Sequence, residues 1–320
     1  MGNDIGAHVT VVRGSASVFA SAMRTALSAA AVAAAIVALS ADVTPAIAQT
    51  ATGLQNSQID IAYIEPANSD YRPIYERLQK RQVLEELREF LAPLKLPRKV
   101  LVKLDQCGQL VRPYEPGGPV TICYEYIAEI EKLAPQERTP RGVSRGDAIV
   151  GAFVQIVLHE MSHAVFDLLK VPVWGRENDA ADKLAGFLML QFGKDIARRT
   201  LNGAAWFFEA SDRTWTGSDF SDTRGTEAQR FYNYLCMAYG GDKDTFADFI
   251  APSDADTKAG GKGPRAAPRE DLLPQRRVPW CAKEYRELHY AFNQLIMPHV
   301  DVELLKLVLA RQWLRSDDGQ

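Results

Sequence analysis

The chain has 320 residues, 47% hydrophobic and 24% charged, enough for one large or two small globular domains. A net charge of −3 and a pI near 6.0 exclude the basic footprint of a nucleic-acid-binding protein. The sequence holds no P-loop, no dinucleotide-binding glycine fingerprint and no repeat period, which excludes the common nucleotide-binding and solenoid classes.

The first 48 residues read as an export signal. Arg24 precedes an Ala-rich apolar run from Ala26 to Leu39, and Ala46-Ile47-Ala48 before Gln49 has the small-x-small form of a cleavage site, with Met23 an alternative start. A membrane anchor is the rival reading, but Asp42 and Pro45 break the run short of the ~20 apolar residues that a span needs. The expectation is a mature chain of residues 49–320, a single soluble domain in the periplasm or outside the cell, with no membrane span.

Residues 49–57 are polar and loose. Ile59 to Ile64 alternates as a strand, and Tyr71 to Leu91 carries apolar residues at helical spacing and reads as one helix closed by Pro93. Val100 to Leu104 and Val120 to Cys123 are two more strands, joined through a turn at Pro116, Gly117 and Gly118. Tyr124 to Leu133 is a short helix. A long helix follows, with an apolar face through Ile149, Phe153, Val157, Met161, Val165 and Leu168 and stop signals at Lys170 and Pro172. Another helix begins within Gly175 to Asp182 and runs through Leu184, Phe187 and Leu190. Later helices are expected over Glu227 to Tyr239, Ala282 to Leu295 and Val302 to Trp313. The stretches 211–226 and 251–269 are poor in apolar residues and read as inserted loops. The fold class is α+β, with the sheet and long helix in residues 59–170 and a helical half in residues 176–320.

The chemistry lies in the long helix, where His159-Glu160-Met161-Ser162-His163 forms an HExxH motif. A helix turns about 100° per residue, so positions i and i+4 face the same way and two imidazoles can grip one zinc ion while the intervening Glu reaches a water. A catalytic zinc takes three protein ligands, so an acidic third is needed. Glu177, Asp179 and Asp182 lie just downstream, where a purely helix-capping role is the rival for the first two. Asp182 could instead orient a ligand imidazole.

The run from His159 through Leu190, HExxH followed by Gly175-Arg176-Glu177-Asn178-Asp179-Ala180-Ala181-Asp182, resembles a family of secreted bacterial metallopeptidases that is otherwise uncharacterised. These in turn resemble the gluzincins, in which a Glu on the next helix completes the zinc site. The resemblance implies a zincin-like metallopeptidase fold, His159 and His163 as zinc ligands, Glu160 as general base and Glu177 as the first choice of third ligand, with Asp182 and Asp179 behind it. The chain departs from the pattern at Asn178, where a second Glu is expected; read as Glu-x-x-Ala-Asp, the ligand slot falls on Asn178 itself. By analogy with such folds, the segment from Gly108 to Tyr114 is a sheet edge that pairs with an extended substrate, against the alternative of a plain surface hairpin.

An even count of four cysteines in an exported chain suggests two bridges. Cys107 and Cys123 flank a short Gly- and Pro-rich loop, and Cys236 and Cys281 flank the later insertion, which suggests those two pairs. The resemblance implies the same pairing, although four cysteines allow three connectivities. An oxyanion donor must come from across the cleft, and Tyr239, followed by Gly240, is the candidate. The expected function is zinc-dependent hydrolysis of a peptide or protein substrate. The alternatives are a non-catalytic zinc-binding or interaction protein of the same fold, favoured by Asn178, and hydrolysis of a cell-wall amide.

Overall fold

A computed structural model describes residues 58–214, 222–251 and 272–314, within a compact unit spanning Ala51–Gln320. The expected export signal and residues 215–221 and 252–269 of the two expected loops lie outside the described residues.

Three short strands, β1 (Ile59–Tyr63), β2 (Val100–Asp105) and β3 (Val120–Cys123), form one sheet in that order. Both pairings are parallel, with Ile59 opposite Val100 and Val102 opposite Val120. The expected turn at Pro116 to Gly118 is present, closed by the Gly118 amide donating to the Glu115 carbonyl at 2.8 Å, but it lies inside a longer connection and does not fold β3 back on β2. Parallel neighbours need a crossover of a dozen or more residues, and residues 106–119 supply one without a helix. All of β3 is buried, as a parallel strand covered on both faces should be.

The expected helix from Tyr71 to Leu91 is two helices, α1 (Arg72–Lys80) and α2 (Val83–Leu91), broken at Gln82, which takes a left-handed φ of 52°. The break lets the Leu84 amide donate to the Tyr63 hydroxyl at 2.9 Å, which ties the start of α2 to the end of β1. Next come α3 (Tyr124–Leu133) and the long α4 (Arg145–Leu169), which opens on a capping box between Ser144 and Asp147 and stops at Lys170 in the left-handed region.

α5 (Glu177–Met189) runs back along α4, followed by α6 (Lys194–Thr214) and α7 (Glu227–Gly241). The sequence reading assigned no element to most of α6 and placed a loop from residue 211, which the last turn of α6 occupies. Two final helices, α8 (Val278–Leu295) and α9 (Val302–Ala310), complete the helical half. The disulfides Cys107–Cys123 and Cys236–Cys281 are both formed, the second joining α7 to α8.

α4 is the core. It is apolar enough over its length to pass for a membrane span, but 83% of that window is buried inside the protein. β3, α3, α5 and α6 all pack against it, and α3 also meets α6 through Tyr126 edge-on to Phe207. The α4–α6 crossing is so close that a Cβ on Gly203 would sit 2.0 Å from the Asp147 carbonyl oxygen, and one on Gly151 would sit 2.4 Å from that of Thr200. Residues late in the chain close over the sheet side. Trp313 is buried edge-on against Phe90, the Leu314 amide donates to Glu86 of α2, and Leu94 and Val300 form an isolated antiparallel bridge.

Because backbone, not a flexible side chain, would block the added methyl, Gly203→Ala should cost on the order of 1–3 kcal/mol or more. Gly146→Ala, whose new Cβ would meet only the Ser144 hydroxyl at 3.9 Å, should be tolerated. Urea unfolding of the two variants checks this, and equal midpoints would show that the helices can separate freely.

Candidate metal centre

The HExxH residues lie in the second half of α4, and His159, Glu160 and Ser162 are all buried. Ser162 is a polar residue in an apolar helix and satisfies its hydroxyl on the Leu158 carbonyl at 2.6 Å. One turn of helix brings the two imidazoles together, with His159 Nε2 and His163 Nε2 3.3 Å apart.

Each ring is held from behind. His159 Nδ1 lies 2.7 Å from Asp182 Oδ1, and His163 Nδ1 lies 2.7 Å from Glu177 Oε1. A carboxylate on Nδ1 places the proton there, so the Nε2 atoms carry the lone pairs. Two lone pairs facing at this distance repel unless a cation lies between them. Nitrogens bound at ~2.0–2.1 Å to a tetrahedral zinc stand about 3.3 Å apart, so the spacing of the two Nε2 atoms is that of a pair sharing one metal ion.

Asp182 is the buried anchor of this arrangement. Its Oδ1 also accepts from Gln155 Nε2 at 3.0 Å, and Arg230 of α7 grips both oxygens through Nε at 2.8 Å and Nη2 at 3.0 Å. Burial alone would raise its pKa, but Arg230 and the His159 contact outweigh that and hold the carboxyl well below the usual carboxylate range. The Arg230 guanidinium in turn stacks 4.0 Å over the Phe208 ring.

Glu160 points to the other wall. Its Oε2 accepts from the Tyr114 backbone amide at 3.0 Å, and the Tyr114 hydroxyl donates to Asp167, one turn past His163 on α4, at 2.9 Å. The crossover segment from Gly108 to Tyr114 is therefore not a strand. Gln109, Leu110, Val111 and Pro113 do line a cleft of about 510 Å³ whose floor is His159, Glu160 and His163. The far wall is the segment from Asp222 to Arg224 with Glu227 and Arg230 of α7.

The three acidic candidates take different places, and for Asp182 and Asp179 these match the orienting and capping roles that were the alternatives to ligation. Glu177 stands behind the His163 ring on Nδ1 and not at Nε2, so its geometry is that of an orienting group. Asp182 does the same for His159. Asp179 accepts from Arg176 Nε at 2.8 Å, in the first turn of α5, and serves that helix start. Asn178 lines the cleft, one turn before Asp182 on the same face, and its amide donates to the Thr223 hydroxyl at 3.1 Å. Tyr239 lies some three turns beyond Glu227 on α7, about 18 Å along the axis, packed against the core and away from the cleft lining.

Among the described residues, the one group of three Cys, His, Asp or Glu ligand atoms within 4.8 Å of each other is Cys107, Cys123 and Glu125, whose sulfurs are joined in a disulfide. Four residues of the centre were missed in the sequence: Gln155, Tyr114, Glu227 and Arg230. Gln155 carried a signal, as a lone amide one turn before His159 in an apolar run. Glu227 and Arg230 follow a Thr226–Gln229 capping box, which marks a helix start and says nothing of what it faces.

A protein-family model described as Putative metallopeptidase matches residues 63–296. No curated protein and no solved structure matches the chain.

Breaking a buried ion pair by removing one partner costs about 3–5 kcal/mol, and Asp182 and Arg230 are 4% and 7% exposed. Asp182→Asn should therefore destabilise the metal-free protein by about that much, with part of the loss recovered by adding Arg230→Met. Denaturant unfolding in the presence of a chelator measures both, and a loss under about 1 kcal/mol would mean that the pair contributes no more than a surface bridge.

Proposed function

Since the chain belongs to this family of metallopeptidases, we propose that it is a zinc-dependent peptidase of zincin-like, gluzincin-like type, acting on peptides or proteins outside the cytoplasm. The observation that carries the reading is the pair of Nε2 atoms 3.3 Å apart, each imidazole backed by a carboxylate on its other nitrogen. His159 and His163 would hold the ion. When bound, zinc supplies a Lewis acid that polarises the scissile carbonyl and acidifies a water at neutral pH.

The remaining work falls to the chain. Glu160 would accept a proton from the attacking water at a carboxylate oxygen and return it to the leaving amine, as general base and then general acid. The Tyr114 amide orients Glu160 by taking up its Oε2. The wall formed by Gln109 to Pro113 flanks this carboxylate and would hold the substrate backbone beside it. Residues 106–119 contribute this wall as an irregular segment, so alignment of the substrate would rest on side-chain and isolated backbone contacts more than on strand addition.

An export signal in residues 1–48 and two disulfides are consistent with an oxidising compartment outside the cytoplasm. The second reading is a zinc-binding protein without turnover, which Asn178 in the expected ligand slot favours.

A Glu160→Gln variant separates the two. It should bind zinc as the wild type does and lose at least about two orders of magnitude in peptide hydrolysis. Zinc content and turnover of a quenched-peptide library report both quantities. Undiminished turnover in the variant would overturn the role of Glu160, and zinc binding without turnover in the wild type would favour the second reading.

A further inference from the structure

The two-histidine centre lacks an acidic partner at Nε2, and the carboxylates near it are largely committed. Glu177 and Asp182 stand on the Nδ1 atoms. Asp179 is paired with Arg176, and Asp222 accepts from the Arg224 amide at 3.0 Å. Glu160 holds the Tyr114 amide. One oxygen stands apart. Glu227 Oε2 is buried with no hydrogen-bond partner, the one carboxylate oxygen among the described residues in that condition, and Glu227 lines the same cleft as His159 and His163.

α7 is built to present it. Glu227 and Arg230 are three residues apart and share a helix face. Arg230 docks that face on Asp182, directly behind His159, which leaves Glu227 one turn nearer the start of α7, at the cleft. The preceding residues are fastened across the start of α5, Arg176 Nη1 to the Arg224 carbonyl at 3.1 Å and Asn178 to Thr223 at 3.1 Å. Glu227 Oε1 makes a long contact of 3.4 Å to Arg230 Nη1, which steadies the side chain without using its second oxygen.

We propose that Glu227, presented from α7, is the third protein ligand of the metal, in place of an acid on α5. Resting on the zinc reading above, this assigns the site a two-helix ligand set, α4 for the histidines and α7 for the carboxylate, with α5 supplying only the groups that orient the rings. His159, His163 and Glu227 do not fall within 4.8 Å of one another as they stand, so binding draws the Glu227 carboxylate inward by rotation about its side-chain torsions. An anionic oxygen that loses its solvent and gains no donor is the group with most to gain from a cation. Asn178, by contrast, offers only a neutral amide oxygen.

The test is competition for zinc chloride against a chromophoric chelator, together with the visible absorption of the cobalt(II)-loaded protein, which responds to the number and type of ligands. Glu227→Gln should weaken zinc binding by about 100-fold or more and change the cobalt spectrum. Glu227→Asp keeps the charge beside Arg230 but shortens the reach, and should fold as the wild type does while losing at least about tenfold. Glu177→Gln should weaken binding by about 10–100-fold, as for groups that orient ligands, and leave the cobalt spectrum in place. Wild-type affinity and spectrum in both Glu227 variants would overturn the assignment, as would a zinc loss in Asn178→Ala that the Glu227 variants do not share. If the unaltered protein takes up no more zinc than His159→Ala does, the zinc reading itself fails.

Discussion

The Asp182 carboxylate is the joint on which the centre turns. It receives His159 from α4, Gln155 one turn earlier on the same helix, and both arms of Arg230 from α7, while itself belonging to α5. Burying an isolated carboxylate costs many kcal/mol, which only good geometry and full hydrogen bonding offset. Here each oxygen has a charged partner. The carboxylate raises the electron density at His159 Nε2, and the guanidinium tempers that effect by drawing on the same oxygens. The setting of the imidazole therefore depends on α5 and, through Asp182, on α7, both outside the motif.

The other half of the centre follows from sheet topology. With β2 and β3 parallel, the chain must travel back the full length of the sheet between them, and it does so across the open side of α4. The crossover is pinned at its base by the Cys107–Cys123 disulfide and at its far end by Asp167, which accepts from both the Tyr114 hydroxyl and, at 3.3 Å, the Gly117 amide. These fixings position the Tyr114 amide over Glu160 from outside the helix. Glu160 and His159 are thus oriented from opposite sides by unrelated parts of the chain.

Much of this was legible in advance. The five-residue motif on a strongly apolar helix, with stop signals at Lys170 and Pro172, fixes which side chains share a face, because helical periodicity is local physics. The same is true of β1, α3 and the start of α5. Three features were not legible, for different reasons. Strand direction depends on how residues 106–119 travel, which their turn-forming residues do not encode. The break at Gln82 reflects a tertiary contact from Tyr63. α6 carries Asn202, Gly203 and Ala204 where an apolar stripe would be expected, because it packs on α4 through close backbone approach more than through large side chains. The choice among acids for the metal was ambiguous for a related reason. Residues 177–182 share one short stretch, and only the docking of α5 decides which face a ring nitrogen.

The pairing of α2 with residues 299–314 bears on how the chain comes to be folded. Contacts such as the Leu314 amide to Glu86 join positions 228 residues apart, among the most distant in the molecule, and such long-range closures slow folding. During synthesis from the amino end, Phe90 and its neighbours emerge long before Trp313 exists to cover them. Phe192 stacks on Phe90 from one side, and the other side of that flank stays uncovered until Trp313 has been made. Strands and motif helix can assemble early, but the sealing of their outer layer waits for residues 299–314.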